Sequence, residues 1–269
     1  MRIPVSSAYA LSVIASLSLL SACSGSGTSG SALSPSSLAS RTMPQSLAQQ
    51  KAKSCVANTN ATNVQFPGVP LASDATFAVL GGSTVTNAGP TVVNGNLGVY
   101  PGTSITGFGP GVVNGTIHAG DAIAAQAHSD LTVAYNNAMG RKNALDVSPE
   151  IGGTVMTPGL YKPTSSLGIS GNVTLDGKGN PNAVFIFQIP STLTTTANSS
   201  VTLINGTRAC NVFWAVGSSA TLQTASMFSG VLFAFASVSL GTGTQVQGRL
   251  LARSGAITLL SNLITEPAP

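Results

Sequence analysis

This chain has few charges. Asp, Glu, Lys and Arg make up 7% of its 269 residues, where a soluble domain usually carries about a quarter. Aromatic side chains are equally thin at 5%, and there are three cysteines. The shortage of charge argues against two classes of function. A nucleic-acid binder needs a basic footprint, and most enzymes need several acids or bases to work with. The formal charge of +4 does not supply that footprint. Arg2, Arg41, Lys51 and Lys53 precede Cys55. Beyond it, seven basic residues (Arg141, Lys142, Lys162, Lys178, Arg208, Arg249, Arg253) meet seven acidic ones (Asp74, Asp121, Asp130, Asp146, Glu150, Asp176, Glu266). The folded part is neutral, which excludes long-range steering as its main binding mechanism.

The amino end lacks a run of about 20 predominantly apolar residues, the length that spans a bilayer. Its shorter, serine-rich stretch AYALSVIASLSLLSAC suits the apolar core of a secretory signal. Leu20-Ser21-Ala22-Cys23 has the lipobox pattern of bacterial lipoproteins. That reading makes 1–22 a lipoprotein signal peptide and Cys23 the acylated first mature residue, anchored to a membrane without spanning it. An ordinary cleaved signal is the alternative. Ser24 gives no strong signal for retention at an inner membrane, so the expected location is the outer membrane or cell surface, with secretion as the alternative. Residues 24–54 hold ten serines among scattered Gly and Pro and cannot bury enough apolar surface to offset ordering. They read as a tether, so the expected division is 1–22, 23–54 and a folded domain at 55–269. Cys55 and Cys210 then remain. Export permits a disulfide between them, and two buried thiols are the alternative. No cysteine or histidine spacing resembles a metal site, and His118 and His128 stand without cysteines nearby.

What the chain has in quantity is Gly (30 residues), Pro (15) and Thr (28), with a hydrophobic fraction of 43%. That is too apolar for a solvated coil. From about Leu71 it falls into short runs such as STVTNAG, VVNGNLGV, GNVTLDGKG and AVFIFQI, separated by turn residues, the pattern of an all-β fold. One interruption is helical. Ala124, Ala127, Leu131, Ala134 and Ala138 recur at steps of three and four, with Asp121 placed to cap the first turn and Gly140 to end it. The narrow alanine stripe predicts close packing against another element.

The second half repeats. Leu193, Leu222, Leu240 and Leu259 each stand two residues before Thr195, Thr224, Thr242 and Ser261. The last two intervals are 18 and 19 residues, too short for a βαβ unit and right for one coil of a β-helix. The interval from Leu193 to Leu222 is 29, an excess read as an insert around INGTRACN. Small polar residues (Ser219, Thr221, Gln223, then Ser237 and Ser239) alternate with core residues, so stacked coils would line them up in ladders about 4.8 Å apart. The simpler reading of such a face is β propensity alone.

The acids do not form a catalytic set. Asp146 and Glu150 fall in a predicted loop after the helix, Asp176 lies in a DGKG turn that binds its own backbone, and Asp74 is expected to cap a short turn. No nucleophile stands beside a base. A face of small hydroxyls and methyls suits a flat, repetitive, uncharged target such as ice or a crystalline polysaccharide, and needs neither metal nor cofactor.

The stretches ASDATFAVLGGSTVTNAG (72–89), VVNGNLGVYPGTSITGFGPG (92–111), IHAGDAIAAQAHSDLTVAYNNAMGR (117–141) and GGTVMTPGLYK (152–162) closely resemble the microbial ice-binding protein family. So do LDGKGNPNAVFIFQIPSTLTT (175–195), VTLINGTRACNVFWAVGSSATLQT (201–224) and GRLLARSGAITLLSN (248–262). The resemblance implies an all-β solenoid, a discontinuous right-handed β-helix with one long helix alongside. It implies adsorption to ice through a flat face, with no catalysis and no small-molecule substrate. The family's Thr-Ala/Gly-x-Thr/Asn pattern is approached at Thr86-Asn87-Ala88-Gly89, Thr196-Ala197-Asn198-Ser199, Thr224-Ala225-Ser226-Met227 and Thr242-Gly243-Thr244-Gln245. None is perfect at the fourth position. On this reading Thr194, Thr221, Ser239 and Thr258 lie on the face, Thr196, Thr224, Thr242 and Thr244 frame it, and Thr84, Thr86, Ser104 and Thr106 continue it in the first half. An adhesin or carbohydrate-binding β-helix is the alternative. A polysaccharide lyase or hydrolase would need charge clusters that this chain lacks.

Overall fold

The computed structural model describes residues 67–267. The expectations for the signal peptide, Cys23, the tether and Cys55 fall outside the described residues. Within them, short strands pair in parallel and stack into three sheet faces.

The first face carries Leu145–Val147, Gly159–Pro163, Phe185–Ile189 and Val212–Val216, then the second halves of Met227–Ala234 and Gln245–Ala252, then Phe77–Gly81, Asn96–Val99 and Ile117–Ala119. The second is a seven-stranded sheet in the order Leu167–Ile169, Leu193–Thr195, Ala220–Leu222, Val238–Leu240, Ile257–Leu260, Thr84–Ala88, Ser104–Thr106. The third carries Val155–Met156, Asn172–Asp176, Ser200–Ile204, the first halves of the two long strands, Leu263–Thr265, Val92–Asn94 and Val112–Asn114.

Spatial order is not chain order. The chain enters the stack at Phe77, next to its own last coil, and reaches one end at Ile117–Ala119. It returns to the other end at Leu145 and coils back until Ile257–Leu260 pairs with Thr84–Ala88. The return is made by α1, Ala122–Gly140, 19 residues long and so about 28 Å. Asp121 caps it, its side chain accepting from the Ala124 N–H at 2.8 Å. The expected stripe of Ala124, Ala127, Leu131, Ala134 and Ala138 is fully buried. All of it but Ala124 joins a cluster with Phe77, Leu160, Ile186, Phe213, Phe233 and Leu251, which point outward from the first face. Methyl-sized contacts let the helix lie close to the sheet. At its far end Gln188 donates to the carbonyls of Ala138 (2.8 Å) and Arg141 (2.9 Å), which the helix leaves open.

Alternate residues of every strand point inward and fill a second, internal core. Its aromatic centre is a stack in which Tyr161 lies 5.4 Å from Phe187 and Phe187 4.1 Å from Trp214. The Trp214 indole N–H donates to the Ser229 carbonyl at 3.1 Å.

The repeat needs one correction. Leu222, Leu240 and Leu259 are stacked equivalents, but Leu193 pairs with Ala220 rather than Leu222. The seat equivalent to Leu222 is taken by Thr195, buried and bonded through its hydroxyl to Ser226 and to the Gln223 N–H. A two-residue offset keeps every side chain on the same face, so the outward residues stay outward.

Candidate functional site

The seven-stranded face sets its outward residues in rows. Cross-strand pairing places Gly168, Thr194, Thr221, Ser239, Thr258, Thr86 and Thr106 in one continuous ladder. A second row lies two residues earlier on each strand: Ser166, Thr192, Ser219, Ser237, Ala256, Thr84 and Ser104. Adjacent strands are about 4.8 Å apart and alternate residues about 6.6 Å, so the two rows form a neutral rectangular grid of hydroxyls and methyls. Beneath each row lie inward Leu, Val, Ile and Ala side chains.

The grid is stiff, and the hydroxyls at the centre of its ladder are available, while in the second row Ser219 and Ser237 accept the N–H groups of Ser237 (3.3 Å) and Ala256 (3.2 Å). Thr192 donates to Ser166 at 2.9 Å, and Thr86 lies 3.5 Å from Thr258. The hydroxyls of Thr194, Thr221 and Ser239 make no hydrogen bond among the described residues, and all three side chains are at least partly exposed. Thr side chains have few χ1 wells, which lowers the entropy cost of meeting an ordered target.

The third face differs. Its outward positions include Met227, Gln245, Leu263 and Val112. Its polar groups are partly bonded to one another: Ser200 and Thr202 both donate to Asn172 Oδ1, and Asn114 donates to Asn94. It offers a less regular and less free set of hydrogen-bonding groups.

Eight expected site residues thus fall on one surface: Thr194, Thr221, Ser239, Thr258, Thr86 and Thr106 in the ladder, with Thr84 and Ser104 beside them. The expected margin divides. Thr196, Thr224 and Thr242 are exposed at the turns leaving the face. Thr244 is a correction: it is fully buried, its hydroxyl donating to the Gln223 carbonyl at 2.9 Å. The turn explains why. Ala225 and Gly243 have φ of 57° and 73°, a left-handed corner that glycine adopts most readily. The residue after that corner, Ser226 or Thr244, points inward and bonds a carbonyl. In the Thr196 turn the left-handed residue is Asn198, one place later, so that motif is out of step. Sequence reasoning missed Gly168, Ser166 and Thr192. The alternations Ser-Leu-Gly-Ile at 166–169 and Thr-Leu-Thr at 192–194 were their signals, but the first coil falls outside the leucine repeat.

The remaining expected polar residues sit as follows. His118 is buried, with Nδ1 2.7 Å from Asp121 Oδ2, and His128 Nε2 meets the Arg253 carbonyl at 2.5 Å. Asp176 accepts from the Lys178 N–H and from Asn205, both at 2.8 Å, which holds its carboxyl down at about 2. Asp146 is exposed, on Leu145–Val147 rather than in a loop. Asp74 is another correction. It lies inside the 3-10 turn Ala72–Thr76, fully buried, and neither carboxyl oxygen has a hydrogen-bond partner. No group of three His, Cys, Asp or Glu is placed to hold a metal among the described residues.

The model of the ice-binding-like family matches residues 79–265, nearly the whole described region. The chain belongs to that family. It is 48% identical over 198 residues to an ice-binding protein of Nostoc sp. (strain HG1), covering 73% of each chain. It is 33% identical over 238 residues to ice-binding protein 1 of Shewanella frigidimarina, covering 75% of this chain and 27% of that longer one. Among solved structures, an ice-binding protein from an Antarctic biological consortium matches with a TM-score of 0.74 and 49% identity, covering 77% of this chain and 94% of that one. The β-helix expected for the family is the fold observed.

Proposed function

We propose that this protein adsorbs to ice through the seven-stranded Thr/Ser face, producing thermal hysteresis and inhibiting recrystallisation. The observation that carries this reading is the unbroken, uncharged ladder Thr194–Thr221–Ser239–Thr258–Thr86–Thr106. Its hydroxyls bond to ordered water while its methyls shape the water between them. No step is catalytic, so the face needs neither a base nor a cofactor. The names of the relatives support the same target.

Tyr placed at Thr221 or Ser239 would stand proud of the grid and hold the rest of it off the lattice. T221Y and S239Y in the full chain are expected to lose most thermal hysteresis and recrystallisation inhibition while melting as native protein does. T202Y, on the third face, is expected to keep both. Full activity in folded T221Y and S239Y would mean that the face is wrongly assigned.

We further propose that Cys23 is lipidated after removal of 1–22, and that 24–54 tethers the domain beyond the outer membrane or cell surface. Leu20-Ser21-Ala22-Cys23 and the ten serines that follow support this. A bond between Cys55 and Cys210 would pin the end of that tether to the domain; that Cys210 is disulfide-bonded supports the pairing.

A further inference from the structure

The ladder ends differently at its two sides. At Ser104–Thr106 it stops on an exposed threonine. At the other side Gly168 pairs with Thr194, and beyond Gly168 an isolated parallel bridge brings in Glu150. Bridge partners point the same way. Glu150 therefore stands at the next outward position of the ladder itself, in a rudimentary strand whose neighbour Ile151 is buried inward. Its carboxylate leans over Gly168: a Cβ built on that glycine would lie 2.5 Å from Oε2. Oε1 accepts the N–H groups of Gly152 (2.7 Å) and Ser170 (2.8 Å), and Oε2 accepts the Ser170 hydroxyl at 2.9 Å.

We infer that Glu150 and Gly168 set the boundary of the ice-binding face. This rests on the face assignment proposed above. The carboxylate ties down the open end of the stack and puts an ionic hydration shell where the next hydroxyl of the grid would stand. Gly168 yields its own position to that carboxylate. Two ladder positions are lost to the water-ordering surface, and adsorption starts at Thr194. Partial burial works against the charge of Glu150, but the bonds from Ser170 and Gly152 outweigh it and keep the group ionised at neutral pH.

Three full-length variants test this, each checked first for native melting. E150Q keeps the Oε1 acceptor and removes the charge. E150T/G168T extends the ladder from six hydroxyl positions to eight. T221Y is the control for the face. Thermal hysteresis at equal concentration is expected to rise in E150Q. It is expected to rise by roughly one third in E150T/G168T, in proportion to the ladder positions added. The boundary is overturned if T221Y abolishes activity while folded E150Q and E150T/G168T stay at or below the native level. If T221Y is itself fully active, the face assignment fails and the boundary falls with it. Where E150T/G168T does not fold, E150Q alone decides, because it leaves in place the side-chain acceptor for the Gly152 and Ser170 N–H groups.

Discussion

Two threonines two residues apart in this chain do opposite work. Thr242 stands exposed at the edge of the flat face, whereas Thr244 is buried with its hydroxyl on the Gln223 carbonyl. That carbonyl also accepts from Ser226 at 2.6 Å, so losing Thr244 does not orphan it. T244V is therefore expected to cost about 1 kcal/mol, the worth of one hydrogen bond, and to leave ice activity of the folded protein untouched. T242Y should do the reverse, lowering hysteresis without moving the melting temperature. Denaturant unfolding beside hysteresis measurements separates the two; an activity loss in T244V would return that residue to the surface. The sequence motif could not tell these residues apart. Alternation says which side of a strand a side chain takes, but a left-handed residue at the corner resets the phase, and only the backbone shows where it sits.

At the scale of elements, legibility followed periodicity. The helix was readable because its alanine stripe, its Asp121 cap and its end are all local signals. The coils from Leu222 to Leu259 were readable because 18- and 19-residue spacing survives in them. The coil at Leu193 was aligned two residues out, since Thr195 fills a leucine seat and the longer turn to Val212 disguises the offset. The first two ladder positions, Glu150 and Gly168, were not legible as part of the face, because neither carries a hydroxyl and the Leu222 seat beside Gly168 is filled by Ile169. The helix also lends itself to a clean test. Ala127 is fully buried where α1 packs on the first face. A127L is expected to destabilise the protein by about 1–3 kcal/mol through overpacking. Below its lowered melting temperature it should keep native hysteresis, since the ladder lies on another face. Retained melting would mean that the helix yields more freely than close packing allows.

For the molecule as a whole, the vulnerable place is the seam where the first coil docks on the last. Chain connectivity does not hold the 3-10 turn Ala72–Thr76 against Gln245–Ala252; contacts do. Arg249, almost fully buried in the latter strand, donates through Nη2 to the carbonyls of Ala75 (2.6 Å) and Pro267 (3.5 Å), so it grips both ends of the described chain. Ser73 bonds Asp130 on the helix through its backbone N–H at 3.1 Å and through its hydroxyl. The Asp74 carboxyl sits among these groups without a hydrogen bond. Burial and the negative charge of Asp130 push its carboxyl up to about 8, against the pull of Arg249. In the unfolded chain the same group titrates near 3.8. The folded state therefore holds the proton more tightly, and the stability this contributes is full below pH 4 and is lost as pH rises towards 8. Asp176 acts at the other end of the scale. Its folded value of about 2 makes its contribution fail as pH falls below 4. Melting temperature is thus expected to decline steadily from about pH 5 to pH 8, where ordinary carboxylates do not titrate. D74N should flatten most of that decline by replacing the acid with a group that is neutral throughout. It should be more stable than the native protein at pH 8 and little changed at pH 5. A native melting temperature that is level from pH 5 to pH 8, or an undiminished slope in D74N, would remove Asp74 from the account of the seam.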